Sequence, residues 1–177
     1  MSGDGRKTDH CLPPFEAKIR PPDAAVARAA ALPRPLVFTN GVFDILHRGH
    51  VTYLAQARAL GASLVVALNT DASVRRLGKG DDRPINRLED RAAVIAALED
   101  TSLVTWFDAD TPLNLIRTLK PDVLVKGGDW AAGDIVGAAE VRGWGGTVHS
   151  IPFLHHRSTT ALLAAVRGGS PKSDEKE

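Results

Sequence analysis

The stretch from residue 39 to residue 50 reads Thr-Asn-Gly-Val-Phe-Asp-Ile-Leu-His-Arg-Gly-His. It overlaps the end of a short apolar run at 36–40, which is typical of a buried strand. It leads into a segment at 49–60 in which apolar residues recur at helical intervals. The start of a helix carries unpaired N–H groups and a partial positive charge, which favour a bound phosphate. Gly49 has no side chain, so phosphate oxygens can approach the backbone closely there. The stretch therefore predicts a strand, a phosphate-binding turn and a helix.

Two histidines flank this glycine. His47 and His50 are three residues apart, so at a helix start they share one face. Both imidazoles can then donate hydrogen bonds to a triphosphate and stabilise charge on a leaving pyrophosphate. A helix cap or a space-filling role is the alternative, and a zinc site would need further Cys or His ligands. Because the chain has one cysteine and no CxxC, we predict phosphate binding and no protein-bound metal.

Strand and helix patterns alternate along the chain. The apolar runs that indicate strands lie at 36–40, 63–69, 103–107, 122–128 and 147–153. Helical patterns lie in an Ala-rich run between Asp23 and Pro33, at 49–60, at 87–100 with Asn86 as a capping residue, and at 111–120. Residues 158–160 open a last helix. This order predicts an α/β fold with a doubly wound, Rossmann-like parallel sheet and helices on both faces. Ligands bind such sheets at the carboxyl ends of the strands, near the switch in strand order.

Length and composition limit the class of protein. The chain has 177 residues and a net charge of +1, which suits one domain and gives no overall field for nucleic acid or an anionic membrane. No apolar run approaches the roughly 20 residues that span a bilayer, and the polar start lacks a secretory-signal pattern. We expect a cytoplasmic protein with a flexible tail at 1–20, a folded domain at 21–167 and a disordered tail at 168–177.

The segment GVFDILHRGH at 41–50 resembles the GxFDxxHxGH signature of the cytidylyltransferase-like nucleotidyltransferases. A P-loop and a GxGxxG fingerprint are both absent from the sequence. Over residues 34–167, the order of LNTDASVRRL, GDDRPINRLEDR, PDVLVKGGDW and STT is similar to that in the adenylyltransferase domain of the ADP-heptose synthases. The resemblance implies that ATP and D-glycero-β-D-manno-heptose 1-phosphate react to give pyrophosphate and ADP-heptose, which feeds the lipopolysaccharide inner core.

The resemblance extends to individual residues. In the related family, a Lys in the loop that corresponds to 77–84 and the Arg of the following helix contact phosphates, and Lys79 and Arg91 match them by position. The run at 155–160, HisHisArgSerThrThr, matches a second phosphate motif at a helix start, although Arg157 stands where an apolar or small residue is usual. Asp44 is expected to order the histidine loop or to help hold a metal that arrives with ATP.

Lys126 lies near the end of the predicted strand at 122–128, just before its two glycines, and we expect it to bind the phosphate of the sugar. The residues assigned to the reaction are His47, His50 and Lys126. The residues assigned to nucleotide binding are Asn40, Gly41, Phe43, Asp44, Gly49, Lys79, Arg91, Gly128, Asp129, Arg157, Ser158, Thr159 and Thr160. Mg²⁺ is expected to bridge the phosphates of ATP, mostly with water as its other ligands. The expected partners are these two substrates, a second copy of the chain and a separate heptose kinase, but neither nucleic acid nor membrane.

Two other functions stay open at this point. One is the same chemistry on another phosphorylated substrate or base, such as a polyol phosphate with CTP. The other is a non-catalytic protein that binds a nucleotide, against which the intact set of His47, Gly49 and His50 argues. Release of pyrophosphate with a panel of phosphosugars distinguishes the three functions.

Overall fold

A five-stranded parallel sheet forms the centre of the protein. The computed structural model describes residues 12–78, 83–154, 166 and 168. The strands of this sheet are β1 (Leu36–Gly41), β2 (Ser63–Asn69), β3 (Leu103–Phe107), β4 (Val123–Gly127) and β5 (Thr147–Ile151). Each strand coincides with a predicted apolar run to within about two residues, because near-continuous Val, Leu and Ile is the pattern of strands buried on both faces.

Helices precede the sheet and connect its strands. In the described part of the chain they are α1 (Pro22–Ala30), α2 (Arg48–Arg58), α3 (Asp71–Arg76), α4 (Leu88–Ala96), α5 (Leu113–Leu119) and α6 (Ala138–Gly143). Helices α3 and α6 are not evident from the sequence, because six residues form fewer than two turns and show no clear periodicity. The predicted last helix lies outside the described residues. Among the helices that are described, none has the length and apolar character needed to cross a membrane.

The helices cover both faces of the sheet. On one face, Leu36 and Phe38 of β1 belong to a buried cluster with residues of α1, α5 and α6. On the other face, Val37 belongs to a second cluster with residues of α2 and α4. Since successive side chains of a strand point to opposite faces, β1 is buried on both sides. The predicted doubly wound sheet is confirmed.

The strand order, β3-β2-β1-β4-β5, creates one switch point. The chain runs outward from β1 through β2 to β3, and then returns to place β4 and β5 on the other side of β1. The neighbours β1 and β4 are parallel, with Thr39 paired to Val125. Their carboxyl ends therefore carry Asn40 and Lys126 to the crevice where open α/β sheets bind ligands.

A short 3-10 helix, Pro14–Lys18, precedes α1 and lies against the domain. Ile19 packs on the core and forms a parallel bridge with Val104. The backbone N–H of Arg20 donates to the Val104 carbonyl at 3.0 Å. Residues 14–20, which the sequence analysis assigned to a flexible tail, therefore form a docked segment along the edge of β3, since their apolar and backbone polar groups find partners there.

Candidate active site

Two stacked imidazole rings lie at the start of α2. His47 is the N-cap residue and His50 lies in the first turn, with the buried Gly49 between them. The ring centroids are 3.9 Å apart and the ring planes are inclined by 19°. Phe43 and Phe153 stand edge-on to His50, with centroids 5.2 and 6.3 Å away. The structure thus brings together the two histidines that the sequence placed on one face.

The surroundings of His50 keep its imidazole uncharged near neutral pH. Burial lowers the pKa of His50 from 6.5 to about 4, the neighbouring His47 lowers it as well, and a hydrogen bond with the backbone of Ile45 opposes both effects. A neutral imidazole has one N–H donor and one acceptor nitrogen. An anion placed beside the ring would raise this pKa again, because it favours the charged form. The protonation of His50 would therefore respond to an anion bound beside the ring.

The loop between β1 and α2 has a tight backbone that depends on a glycine. Phe43 has a φ of 48°, in the left-handed region, and its buried ring lies over Gly41. A Cβ atom on Gly41 would stand 2.8 Å from the Phe43 ring, closer than van der Waals contact allows. Gly41 and Phe43, which we predicted as nucleotide-binding residues, thus determine the shape of the loop that presents the histidines.

Asp44 connects the histidine loop to the segment that precedes α4. Its buried carboxylate accepts hydrogen bonds from the backbone N–H groups of Ile85 and Asn86, at 3.0 and 2.9 Å. Arg83 Nε lies 2.6 Å from the same carboxylate. The Asn86 amide donates to the Asp44 carbonyl at 2.5 Å, so Asn86 is not the predicted capping residue, and α4 has Arg87 as its N-cap. Of the two roles considered for Asp44, this geometry supports the ordering of the loop.

Arg91 is buried behind the same loop. Its guanidinium donates to the carbonyl oxygens of Val42, Asn69 and Asn86 at 2.7, 2.9 and 3.0 Å. It also forms an ion pair with Asp71 at 2.7 Å. These acceptors belong to the β1 loop, the end of β2, the segment before α4 and the start of α3. Because protein atoms surround the charged group, we replace the predicted phosphate contact of Arg91 by a positioning role.

A cavity of about 300 Å³ opens at the carboxyl ends of β1, β2 and β4. Its inner wall carries Asn40, Gly41, Asn69 and Lys126. Lys126 Nζ lies 3.5 Å from the Asn40 carbonyl, at the switch point between β1 and β4. Small-molecule sites occupy roughly 300–1,000 Å³, so the cavity has room for one small ligand. The structure therefore brings the predicted residues Asn40 and Lys126 to one binding pocket.

Two loops form the outer wall of this cavity. The loop after β3 contributes Asp110 and Thr111, and the connection from β4 to α6 contributes Trp130 and Asp134. No sequence motif assigns a functional role to Asp110, Thr111 or Asp134. Each of them follows a strand, and this position in the sequence could have marked them as candidates. Only the strand order, however, shows which loops meet over the same crevice.

The turn after β4 lies beside the cavity. Gly128 has a φ of 107°, a conformation that favours glycine, and its N–H donates to the Ile151 carbonyl at 2.9 Å. Asp129 follows and is exposed. The next residue, Trp130, donates from its indole Nε1 to the Gly127 carbonyl at 3.1 Å. Nucleotide binding by Gly128 and Asp129 stays a prediction.

Several predicted residues cannot be placed in this site, because they lie outside the described part of the chain. They are Lys79, Arg157, Ser158, Thr159 and Thr160. The structure in turn adds Arg83 and Phe153, which the sequence analysis missed because their partners, Asp44 and His50, are distant in sequence. Within residues 12–78 and 83–154, no three His, Cys, Asp or Glu side chains form a group that could hold a metal ion.

Comparison with known proteins identifies close relatives of the whole domain. D-beta-D-heptose 1-phosphate adenylyltransferase from Bordetella bronchiseptica is 60% identical over 157 residues, which are 88% of this chain and 97% of that protein. Bifunctional protein HldE from Hahella chejuensis is 54% identical over 143 residues, which are 81% of this chain but 30% of that protein. The chain therefore spans nearly the full length of the first relative and about a third of the second.

Solved structures and a family model agree with these relatives. The lipopolysaccharide core biosynthesis protein from Thermoplasma volcanium has a TM-score of 0.57 and 29% identity, covering 69% of this chain and 98% of that chain. Pantoate-beta-alanine ligase from Francisella tularensis, at 12% identity and a TM-score of 0.58 over 84% of this chain and 76% of its own, shares the fold alone. The cytidylyltransferase-like family model matches residues 38–162, which include most of β1, the stacked histidines and the residues that line the cavity. This chain belongs to the cytidylyltransferase-like family.

Proposed function

We propose that this protein transfers the adenylyl group of ATP to D-glycero-β-D-manno-heptose 1-phosphate and releases pyrophosphate. The observation that carries the proposal is the stacked pair His47 and His50 at the start of α2, beside a cavity that Lys126 lines at the switch point. The identity of the substrate is supported by the 60% identity with the Bordetella relative, whose name states this activity. The product, ADP-heptose, would serve the inner core of lipopolysaccharide.

The reaction needs no covalent intermediate on the protein. A phosphate oxygen of the sugar 1-phosphate, ionised near neutral pH, attacks the α-phosphorus of ATP in line. The new P–O bond forms while the bond from the α-phosphorus to the oxygen that bridges it to the β-phosphorus breaks. The electron pair of that bond leaves with pyrophosphate. Catalysis then rests on positioning the two substrates and on stabilising the charge of the leaving group.

In this proposal, His47 and His50 bind the triphosphate. The negative charge of ATP raises the pKa of His50 from its low value near 4, so that a protonated ring donates hydrogen bonds from both nitrogens. The N–H groups and the partial positive charge at the start of α2 act on the same phosphates. Lys79, Arg157 and the hydroxyl groups at 158–160, which lie outside the described residues, are also assigned to the phosphates of ATP on the strength of the family resemblance.

Lys126 binds the phosphate of the sugar in this proposal. Among the described residues, the cavity is lined by Lys126 and Asn40 but not by the two histidines. The reaction brings together two substrates that carry phosphate. The histidines at the start of α2 and Lys126 in the cavity provide a separate phosphate-binding position for each substrate. Lys126 then orients the attacking oxygen, and Asn40 contributes an amide at the end of β1.

Mg²⁺ accompanies the triphosphate in this proposal. Asp44, in the histidine loop, already accepts two backbone hydrogen bonds and contacts Arg83, and the described residues hold no group of three metal ligands. Mg²⁺ commonly keeps several waters and binds substrate phosphates with few protein carboxylates. The residues present therefore fit an ion held by phosphate and water oxygens, where it would neutralise charge on the triphosphate.

Release of pyrophosphate by the purified protein tests the proposal. With Mg²⁺ and ATP, we expect heptose 1-phosphate to be turned over at least about tenfold faster than other sugar 1-phosphates, and mass spectrometry should detect ADP-heptose. Preferential turnover of a polyol phosphate with CTP would support the second nucleotidyltransferase reaction instead. Binding of ATP without release of pyrophosphate from any pair would support a non-catalytic protein. The double variant His47→Ala, His50→Ala is the matched control for contaminating activity.

The proposal also implies partners. The bifunctional relative from Hahella carries the matching segment as 30% of its length, and we propose that a heptose kinase separate from this chain supplies the sugar 1-phosphate. The reaction would take place in the cytoplasm, where its nucleotide substrate is made. The homodimer stays a prediction, which sedimentation of the purified protein would check.

A further inference from the structure

The two ends of the cavity differ in charge and chemistry. At the inner end, Lys126 and Asn40 lie on the strands of the switch point. At the outer end, Asp110 and Asp134 are both exposed and approach the cavity from two different loops. A carboxylate accepts hydrogen bonds from hydroxyl groups and repels phosphate. The cavity is therefore suited to a ligand with an anion at one end and hydroxyl groups at the other.

An indole ring is fixed at the mouth of the same cavity. Trp130 is 49% exposed, a large fraction for its type, and it lines the cavity. Its indole Nε1 donates to the Gly127 carbonyl at 3.1 Å, and its backbone N–H donates to the Ser150 hydroxyl at 3.1 Å. These two bonds hold the ring in place while its surface stays available. A fixed aromatic face can pack against the C–H groups of a sugar ring, whose hydroxyl groups point outward from the ring edge.

Asp110 is held in position as well. Arg76 Nε forms an ion pair with the Asp110 carboxylate at 2.9 Å, on the surface of the protein. This contact fixes one oxygen of the carboxylate, so that the other oxygen can accept a hydrogen bond from a hydroxyl group in the cavity. The cavity volume of about 300 Å³ lies at the lower end of the range for small-molecule sites, so one sugar phosphate is a ligand of suitable size.

From this polarity we infer that Asp110, Trp130 and Asp134 are specificity-determining residues that recognise the hydroxyl-rich end of the acceptor sugar, while its phosphate lies at Lys126. The inference rests on the proposed function and adds to it the direction in which the acceptor enters the cavity. The seventh carbon of the heptose and its hydroxyl group lie farthest from the reacting phosphate. They should therefore contact the two carboxylates, which distinguish the heptose from a six-carbon sugar.

Steady-state kinetics with two acceptors test this assignment. The acceptors are heptose 1-phosphate and β-D-mannose 1-phosphate, which has the same ring but lacks the terminal carbon. The variants are Asp110→Asn, Asp134→Asn and Trp130→Leu, with Glu99→Gln as a control at another exposed carboxylate. We expect each Asp variant to raise KM for the heptose by about tenfold, the scale of one hydrogen bond to a charged group, and to bring the preference for heptose over mannose toward one.

Trp130→Leu should raise KM for both sugars, and KM for ATP should stay within about twofold in every variant. Circular dichroism checks that the variants fold. If the wild-type protein turns over heptose 1-phosphate but both Asp variants keep its preference for heptose, the inference is wrong and the proposed function stands. A rise of KM for ATP instead would place these residues at the nucleotide and would also overturn it. If the wild-type protein accepts no sugar 1-phosphate at all, the proposed function and the inference both fail.

Discussion

Replacement of Arg91 by Met would remove a buried guanidinium but keep most of the volume of the side chain. The structure gives this group four hydrogen bonds, three of them to backbone carbonyls and one to Asp71. The side chain of Arg91 is 0% exposed and that of Asp71 is 25% exposed. Breaking a buried ion pair costs about 3–5 kcal/mol. Since water can reach Asp71, we expect a loss near the lower limit, about 3 kcal/mol.

Urea unfolding followed by circular dichroism measures this loss directly. In a domain of this size, about 3 kcal/mol corresponds to a fall in Tm of roughly 6–12 °C. Below that temperature the folded variant should show a lower kcat, because the carbonyl groups of Val42 and Asn69 lose the partner that holds the two strand ends. Arg91→Lys should restore only part of the stability, since a single ammonium group cannot reproduce the planar donor fork. Arg87→Met is the matched control, because Arg87 is exposed, and it should change stability by less than about 0.5 kcal/mol.

The same experiment distinguishes a positioning residue from a residue that touches substrate. An Arg91→Met variant as stable as the Arg87→Met control, with KM for ATP raised more than about tenfold, would refute the reasoning. That result would mean that Arg91 contacts phosphate, as its position in the sequence first indicated. A large loss of stability with KM for ATP little changed agrees with the buried network.

Three further predictions concern the histidines and the lysine. Replacing His47 or His50 by Ala should lower kcat by about 10²–10³, the scale of losing one donor to the transition state, with the fold retained; wild-type turnover in either variant would contradict the assignment. The free energy of unfolding should rise with pH between about 4 and 6.5 and then level off, because in this range the unfolded chain binds a proton at His50 that the folded protein does not bind. Urea titrations of wild type and His50→Asn at several pH values check this, and equal slopes in both proteins would disprove it. Lys126→Ala should lower kcat/KM by about ten- to a hundredfold, through KM for the sugar phosphate more than through KM for ATP; kinetics with each substrate varied in turn would place Lys126 at the nucleotide if the larger effect falls on ATP.

Local patterns in the sequence determined the elements that build the site. The run at 63–69 reads as a strand because its apolar, β-branched side chains suit a position between two layers of helices, and β2 has these bounds. The histidines lie at the start of α2. This position is readable from the sequence, because a strand pattern, a glycine and a run of apolar residues at helical spacing follow one another within a few residues. Each signal lies in a short segment, so it is readable without knowing what packs against that segment. For the same reason Asn40 and Lys126 could be placed at the ends of strands.

Only the tertiary structure decided which of these residues share a surface. Arg83, Arg87 and Arg91 lie in one basic segment, yet the fold buries Arg83 beside Asp44, exposes Arg87 and encloses Arg91 among carbonyl groups. Their charges are identical in the sequence, and the distinction arises from the strand ends and loops that surround each one. Likewise, Asp134 faces a cavity with Lys126 because the chain returns from β3 to the other side of β1. Burial and pairing depend on contacts between distant segments, and no local pattern contains those contacts.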